Sequence, residues 1–165
     1  MTERIIGNVW RVNGPVIEAT GVTDAIMMEL VQVGELRLVG EIIKLEGQGA
    51  VIQVYEDTTG IAPGDKIYGS GMPLSLELGP GLIGTIYDGI QRPLTRLLEE
   101  SGQFIDRGLI IPPLDREKEW HFVPAVREGE EISEGRTLGT VQETERIEHR
   151  ILVPNGIQGK VVSIA

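Results

Sequence analysis

The stretch Leu36-Arg37-Leu38-Val39-Gly40-Glu41-Ile42-Ile43-Lys44-Leu45-Glu46-Gly47-Gln48-Gly49-Ala50-Val51-Ile52-Gln53-Val54-Tyr55 decides the fold class. Its first half alternates in part. Leu36, Leu38 and Ile42 fall on one face and Arg37 and Glu41 on the other, the period of a half-buried strand. Gly47-Gln48-Gly49 then turns the chain into a second β-prone run, Ala50 to Tyr55.

The same grammar extends in both directions. Upstream, Arg4 to Val12 is apolar-rich and ends at the turn signal Asn13-Gly14-Pro15. Val16 to Ala19 resumes extended structure and stops near Gly21. Met27 to Val33 sets Val31 and Val33 on one face, with Gln32 between them, before Gly34. Downstream, Ala62-Pro63-Gly64-Asp65 is a turn and Lys66-Ile67-Tyr68 a short strand. Leu74, Leu76 and Leu78 then alternate with Ser75 and Glu77 as a further strand. About six short strands joined by Gly-rich turns predict a small closed antiparallel barrel, because closure removes exposed edges. Several strands are apolar on both faces, which fits a barrel whose outside packs against neighbours.

Residues 89–101 carry a different period. Ile90, Leu94, Leu97 and Leu98 follow i, i+4, i+7, i+8 spacing, with Asp88 as N-cap, Pro93 early and Gly102 as the stop. Glu99 and Glu100 oppose the dipole of the last turn, so this helix needs tertiary contacts. Ile110-Ile111-Pro112-Pro113-Leu114 reads as an extended linker, since a residue before Pro is pushed out of the α region. Beyond it, Trp120-His121-Phe122-Val123-Pro124 and β-prone stretches punctuated by Gly129, Gly135, Gly139, Gly156 and Gly159 predict a second all-β unit. In Ile147 to Val153, His149 shares a face with Ile147, Ile151 and Val153. The last run, Lys160 to Ala165, is β-prone without a polar tail, so the chain is expected to continue in its parent protein.

The expected architecture is mainly β. An N-terminal barrel spans residues 1–80, a helical connector 81–108, and a second barrel-sandwich-like unit 109–165. Aromatics are only 4% of the 165 residues, so the core is built from Val, Ile and Leu. The formal net charge of -10, with basic residues scattered singly, argues against nucleic acid or an anionic lipid surface as partner. Without Cys there is no disulfide, thiolate metal site or Cys nucleophile. No apolar run approaches the ~20 residues of a membrane span. Met1-Thr2-Glu3-Arg4 lacks the features of a signal peptide.

Three stretches resemble the N-terminal region of the catalytic A subunits of V-type and archaeal-type rotary ATPases. They are Val33 to Leu36 with Leu38 to Ile43, Gln53 to Gly60, and Leu74 to Leu82, the last continuing through Ile86-Tyr87-Asp88-Gly89-Ile90-Gln91-Arg92-Pro93-Leu94. Trp120 to Pro124 is similar to the start of that family's insert. The resemblance covers nearly the whole chain in unbroken order. It implies a barrel that joins a ring of barrels from alternating A and B subunits. It also implies a projecting bulge, the non-homologous region, truncated here, that meets the peripheral stalk. The parent subunit would be a cytoplasmic part of a membrane-associated complex that makes or hydrolyses ATP and moves protons or sodium ions, with Mg-ATP as its nucleotide.

That chemistry requires a phosphate cradle, G-x-x-x-x-G-K-[ST]. Gly79-Pro80-Gly81 is followed by Leu82-Ile83-Gly84, and the only Gly-Lys pair, Gly159-Lys160, precedes Val161. No catalytic, cofactor-binding or metal-binding residue is therefore expected in this chain, and no cofactor. His121, beside Trp120 and Phe122, reads as the edge of a core, and His149 as structural. The carboxylate pairs Glu99-Glu100, Glu130-Glu131 and Glu143 with Glu145 read as solvent-facing.

One other reading has a specific basis. Val126 to Val141 and Pro154 to Val161 resemble the two halves of a biotinyl or lipoyl carrier domain, which would make the chain a stand-alone binding module. The stretch between them, Gln142-Glu143-Thr144-Glu145-Arg146, has no Lys to carry the group. That leaves the architecture without the carrier chemistry.

Overall fold

Residues 4–164 are described by a computed structural model. Readings that involve Met1 to Glu3 or Ala165 lie outside them. The chain divides into two units, residues 1–76 with 96–111, and residues 77–95 with 112–165.

In the first unit six strands close into an antiparallel barrel: β1 (Arg4–Asn13), β2 (Val16–Thr20), β3 (Glu29–Val33), β4 (Leu38–Glu46), β5 (Gly49–Val54) and β6 (Lys66–Pro73). Around the barrel the order is β1-β2-β5-β4-β3-β6, and β6 returns to β1. Strand β1 bridges the closure. It pairs with β6 at one end and β2 at the other, and its register shifts between Ile5 and Gly7 and again between Val9 and Arg11. Such bulges add the local twist a small barrel needs to close. Alternation then fills the interior. Ile17, Val33, Leu38, Ile42, Ile52 and Ile67 are each 0% exposed, so the barrel holds a packed core and no lumen.

The hairpin read from Leu36 to Tyr55 is present as β4 and β5, joined at Gly47-Gln48 and paired through Ile42↔Ile52. Leu36 is not part of it. Gly34 and Arg37 adopt positive φ (71° and 57°), so Glu35 to Arg37 form the β3–β4 turn and leave Leu36 46% exposed. Leu74 to Leu78 is not a strand either: β6 ends at Pro73, and Leu76 and Leu78 are 63% and 76% exposed. Alternating leucines had no partner edge, because the barrel is already closed.

Residues 102–111 lie along one side of the same unit. The Gly108 amide donates to Glu56 Oε2 at 2.7 Å, and Arg107 Nη1 donates to the Thr59 carbonyl at 2.5 Å. A Cβ on Gly108, whose φ is +70°, would collide with the Leu36 carbonyl.

The helix α1 (Leu94–Ser101) is shorter than the spacing suggests. Asp88 does not cap it. Its carboxylate takes the Ile90 and Arg92 amides and the Arg92 Nε, at 3.0, 2.8 and 2.8 Å, which ties 88–92 into a loop with Gln91 at φ 64°. Pro93 then holds the preceding residue out of the helix. Of the expected apolar face only Leu97 is buried, while Leu94 and Leu98 are 40% and 60% exposed. Gly102 ends the helix as expected, at φ 70° with its amide on the Leu98 carbonyl.

The second unit is β-rich with small sheets. Strands β7 (Phe122–Pro124), β9 (Thr137–Thr144) and β10 (Ile147–Leu152) form one in the order β10-β9-β7, and β8 (Glu131–Ile132) with β11 (Gly159–Lys160) forms another. Phe122 lies across Gly139, where any side chain would displace the ring.

Candidate functional site

The barrel has nothing to offer a ligand inside, so its chemistry lies on the outer face. Trp10 is 65% exposed on β1, and Ile5 and Ile43 also face outward. Trp10 lines an open groove of about 530 Å³ with Glu18, Lys44, Glu46 and Val51. The groove is amphipathic and shallow. Lys44 is already neutralised by Glu46 at 2.5 Å, so its charge is not held in reserve for an anion. The Tyr55 phenol is pushed up to about 12, by burial first and then by the Glu41 carboxylate, and it stays a neutral donor.

A half-buried ion pair braces the barrel. The Glu29 side chain is 0% exposed and pairs with the Arg4 guanidinium. It also accepts the Ile26 amide at 2.9 Å and the Gly71 amide at 2.8 Å. Charged hydrogen bonds to both oxygens are what make such burial tolerable. Gly69 sits directly over the pair, and a Cβ there would strike the carboxylate.

In the second unit the stretch from Glu77 to Pro93 is irregular, yet side chains bind it tightly. Gln91 exchanges two hydrogen bonds with the Glu77 backbone, at 2.7 and 2.8 Å, imitating a strand partner. Asp88 and Arg92 form an ion pair with side chains 19% and 11% exposed. Burial raises the Asp88 pKa, but hydrogen bonds from Arg92 and Ile90 outweigh it and hold the carboxyl below its ordinary value.

The readings of individual residues part ways here. His121 is exposed and is not the edge of a core. His149 is half-buried, with Nδ1 at 3.4 Å from Glu143 Oε2. Glu99 and Glu100 are exposed beside Arg96, and Glu131 and Glu145 are exposed. Glu143 is not solvent-facing. Its side chain is 2% exposed, and Oε1 accepts the Gly81 and Ile83 amides at 2.8 and 2.9 Å. The cause is a bulge: Thr144 pairs with Ile147 and Gln142 with Glu148, leaving Glu143 as an extra residue re-aimed into the unit. Two backbone N–H groups of a Gly-rich loop thus converge on an internal carboxylate, the geometry that elsewhere receives a bound anion. Among the described residues no three His, Asp or Glu side chains cluster as a metal site. Nor, among the described residues, is any helix long and apolar enough to cross a membrane.

Residues 9–71 match the model of the ATP synthase alpha/beta family β-barrel domain, and residues 111–165 that of the ATP synthase alpha/beta subunit barrel-sandwich domain. The chain is 57% identical over 160 residues to the A-type ATP synthase A subunit of Thermoplasma acidophilum, covering 97% of this chain and 21% of that protein. It is 55% identical over 159 residues to the protein of the same name from Metallosphaera sedula, covering 96% of this chain and 27% of the relative. Against that of Methanopyrus kandleri it is 50% identical over 165 residues, all of this chain and 28% of the relative. The chain therefore spans about a fifth to a quarter of the length of these curated relatives.

Proposed function

The chain belongs to the ATP synthase alpha/beta family, and on that premise we propose that it is a structural and assembly part of the catalytic A subunit of a rotary ATP synthase. The observation that carries this reading is that the barrel wall is apolar on its outside as well as its inside. Its inside is sealed by aliphatic side chains, and its large exposed apolar groups, Trp10 and Ile5 among them, stand outside. A β-barrel of this kind is suited to lateral packing against other barrels, here those of B subunits. The division into a barrel over 1–80, a connector over 81–108 and a bulge over 109–165 is part of the proposal, with the bulge reaching the peripheral stalk. The parent subunit would bind Mg-ATP, couple its synthesis or hydrolysis to proton or sodium transport, and act in the cytoplasm on a membrane-associated complex.

This chain takes no step in that chemistry on this reading. It contains no G-x-x-x-x-G-K-[ST] segment, and the amides of its Gly-rich loop already serve Glu143. The carrier-module alternative has no support in the hairpin between β9 and β10. Its tip is Glu145-Arg146, with no Lys.

Calorimetry tests both halves of the proposal. Mg-ATP titrated into the 165-residue chain should give no binding heat, and the B subunit of the same complex should bind it. Tight nucleotide binding, or no association with the B subunit, would overturn the reading.

A further inference from the structure

Glu143 does two separate jobs with its two oxygens. Oε1 takes the Gly81 and Ile83 amides, while Oε2 faces His149 Nδ1 at 3.4 Å. The exposures of the partners differ. The Glu143 side chain is 2% exposed and that of His149 27%, so protons reach the imidazole from water while the carboxylate stays enclosed.

The surroundings leave His149 as the one ionic partner of Glu143 among the described residues. The loop 79–84 is Gly-Pro-Gly-Leu-Ile-Gly and has no titratable side chain. On the hairpin, Glu145, Arg146, Glu148 and Arg150 are exposed. On the segment leading into β7, His121 is exposed and Lys118 is stacked 4.0 Å over the Trp120 ring. That ring lies 3.5 Å from where a Gly81 Cβ would stand, so the loop is bounded on that side by an aromatic face.

We propose that His149 and Glu143 form a proton-dependent latch that sets how firmly the loop 79–84 is held to the β9–β10 hairpin. Imidazole is the side chain whose charge changes near neutral pH. As imidazolium, His149 completes an ion pair that fixes the carboxylate and keeps Oε1 aimed at the two amides. As neutral imidazole it can offer Oε2 only an uncharged Nδ1–H donor, a weaker tie that leaves the carboxylate and the loop less firmly held. Glu143 itself stays ionised. Burial raises its pKa, but the Ile83 and Gly81 amides and the charge of His149 bring it below the ordinary value. His149 is thus a positioning residue. Its readout is the presentation of Ile83 and Ile86, apolar side chains 50% and 70% exposed on or beside the loop.

The test is NMR of the 165-residue chain between about pH 5 and pH 8, the range over which imidazole titrates. The Gly81 and Ile83 amide protons should shift with the midpoint of the His149 ring protons. Their exchange protection, corrected for intrinsic rates, should be about threefold greater in the imidazolium form, the scale of one partly exposed ion pair. His149→Gln should abolish both effects. Glu143→Gln should lower protection at these two amides at every pH and leave the Ile52 and Val54 amides of the barrel unchanged. Amides that do not follow the ring, an unchanged titration in His149→Gln, or full protection in Glu143→Gln would each overturn the latch. If Glu143→Gln does not fold, wild type against His149→Gln decides alone.

Discussion

Arg4 on β1 and Glu29 on β3 form an ion pair across β6, with the Glu29 side chain 0% exposed. Because Arg4 is 36% exposed, part of the pair reaches water. Removing Arg4 leaves the buried Glu29 carboxylate without its cation, and removing Glu29 leaves a void and the Ile26 and Gly71 amides without their acceptor. Glu29→Ala should therefore destabilise the barrel by about 3 kcal/mol, and Arg4→Met should cost at least as much, since it leaves the anion unpaired. Urea unfolding followed through barrel amides checks this. A loss below about 1 kcal/mol for both would mean that the pair is incidental.

Two glycines with similar dihedrals should behave differently. Gly47 has φ +58° with open space around it, while Gly108 has φ +70° and faces the Leu36 carbonyl. Gly47→Ala should cost about 1 kcal/mol, the left-handed penalty alone. Gly108→Ala adds a backbone collision and should cost more than about 3 kcal/mol or release residues 102–111 from the barrel. Denaturation midpoints of the two variants, measured side by side, separate strain from collision.

Acid should loosen the second unit through Asp88 and Glu143. Both have folded pKa values below their ordinary 3.8 and 4.5. A depressed carboxyl contributes stability that is full above its unfolded pKa and is lost as pH falls through the folded one. Stability of this unit should therefore fall as pH drops below 4.5. Asp88→Asn combined with Glu143→Gln should flatten that slope while lowering stability at pH 7. Urea midpoints across the acid range give the answer.

The exposed apolar skin of the barrel should make the chain self-associate at high concentration. Trp10→Glu, in the lining of the groove, should reduce that association without touching the core. Light scattering over a concentration series would show it, and a strict monomer throughout would contradict the assignment of this face to assembly.

Much of the barrel was legible because its signals were redundant. Asn13-Gly14-Pro15 and Gly47-Gln48 mark turns chemically, and the strands beside them alternate cleanly at Ile17, Ala19, Ala50 and Ile52. Leu36 misled because Arg37 occupies a left-handed conformation usually left to Gly or Asn, and no composition rule flags an arginine there. The helix start misled because Asp88 can close a loop as readily as cap a helix, and Pro93 favours the loop. Glu143 sits in the polar run Gln142-Glu143-Thr144-Glu145-Arg146, which reads as solvent-facing. Only a one-residue register slip turns it inward, and a slip between partners so close in the chain leaves no trace in periodicity.

A ring of six hydrogen-bonded strands with none left over has a mechanical corollary. None of its strands is an open edge along its whole length, so it offers a companion little sheet to extend. Joints made mainly through side chains follow, and such a joint can be separated and remade without unravelling either member.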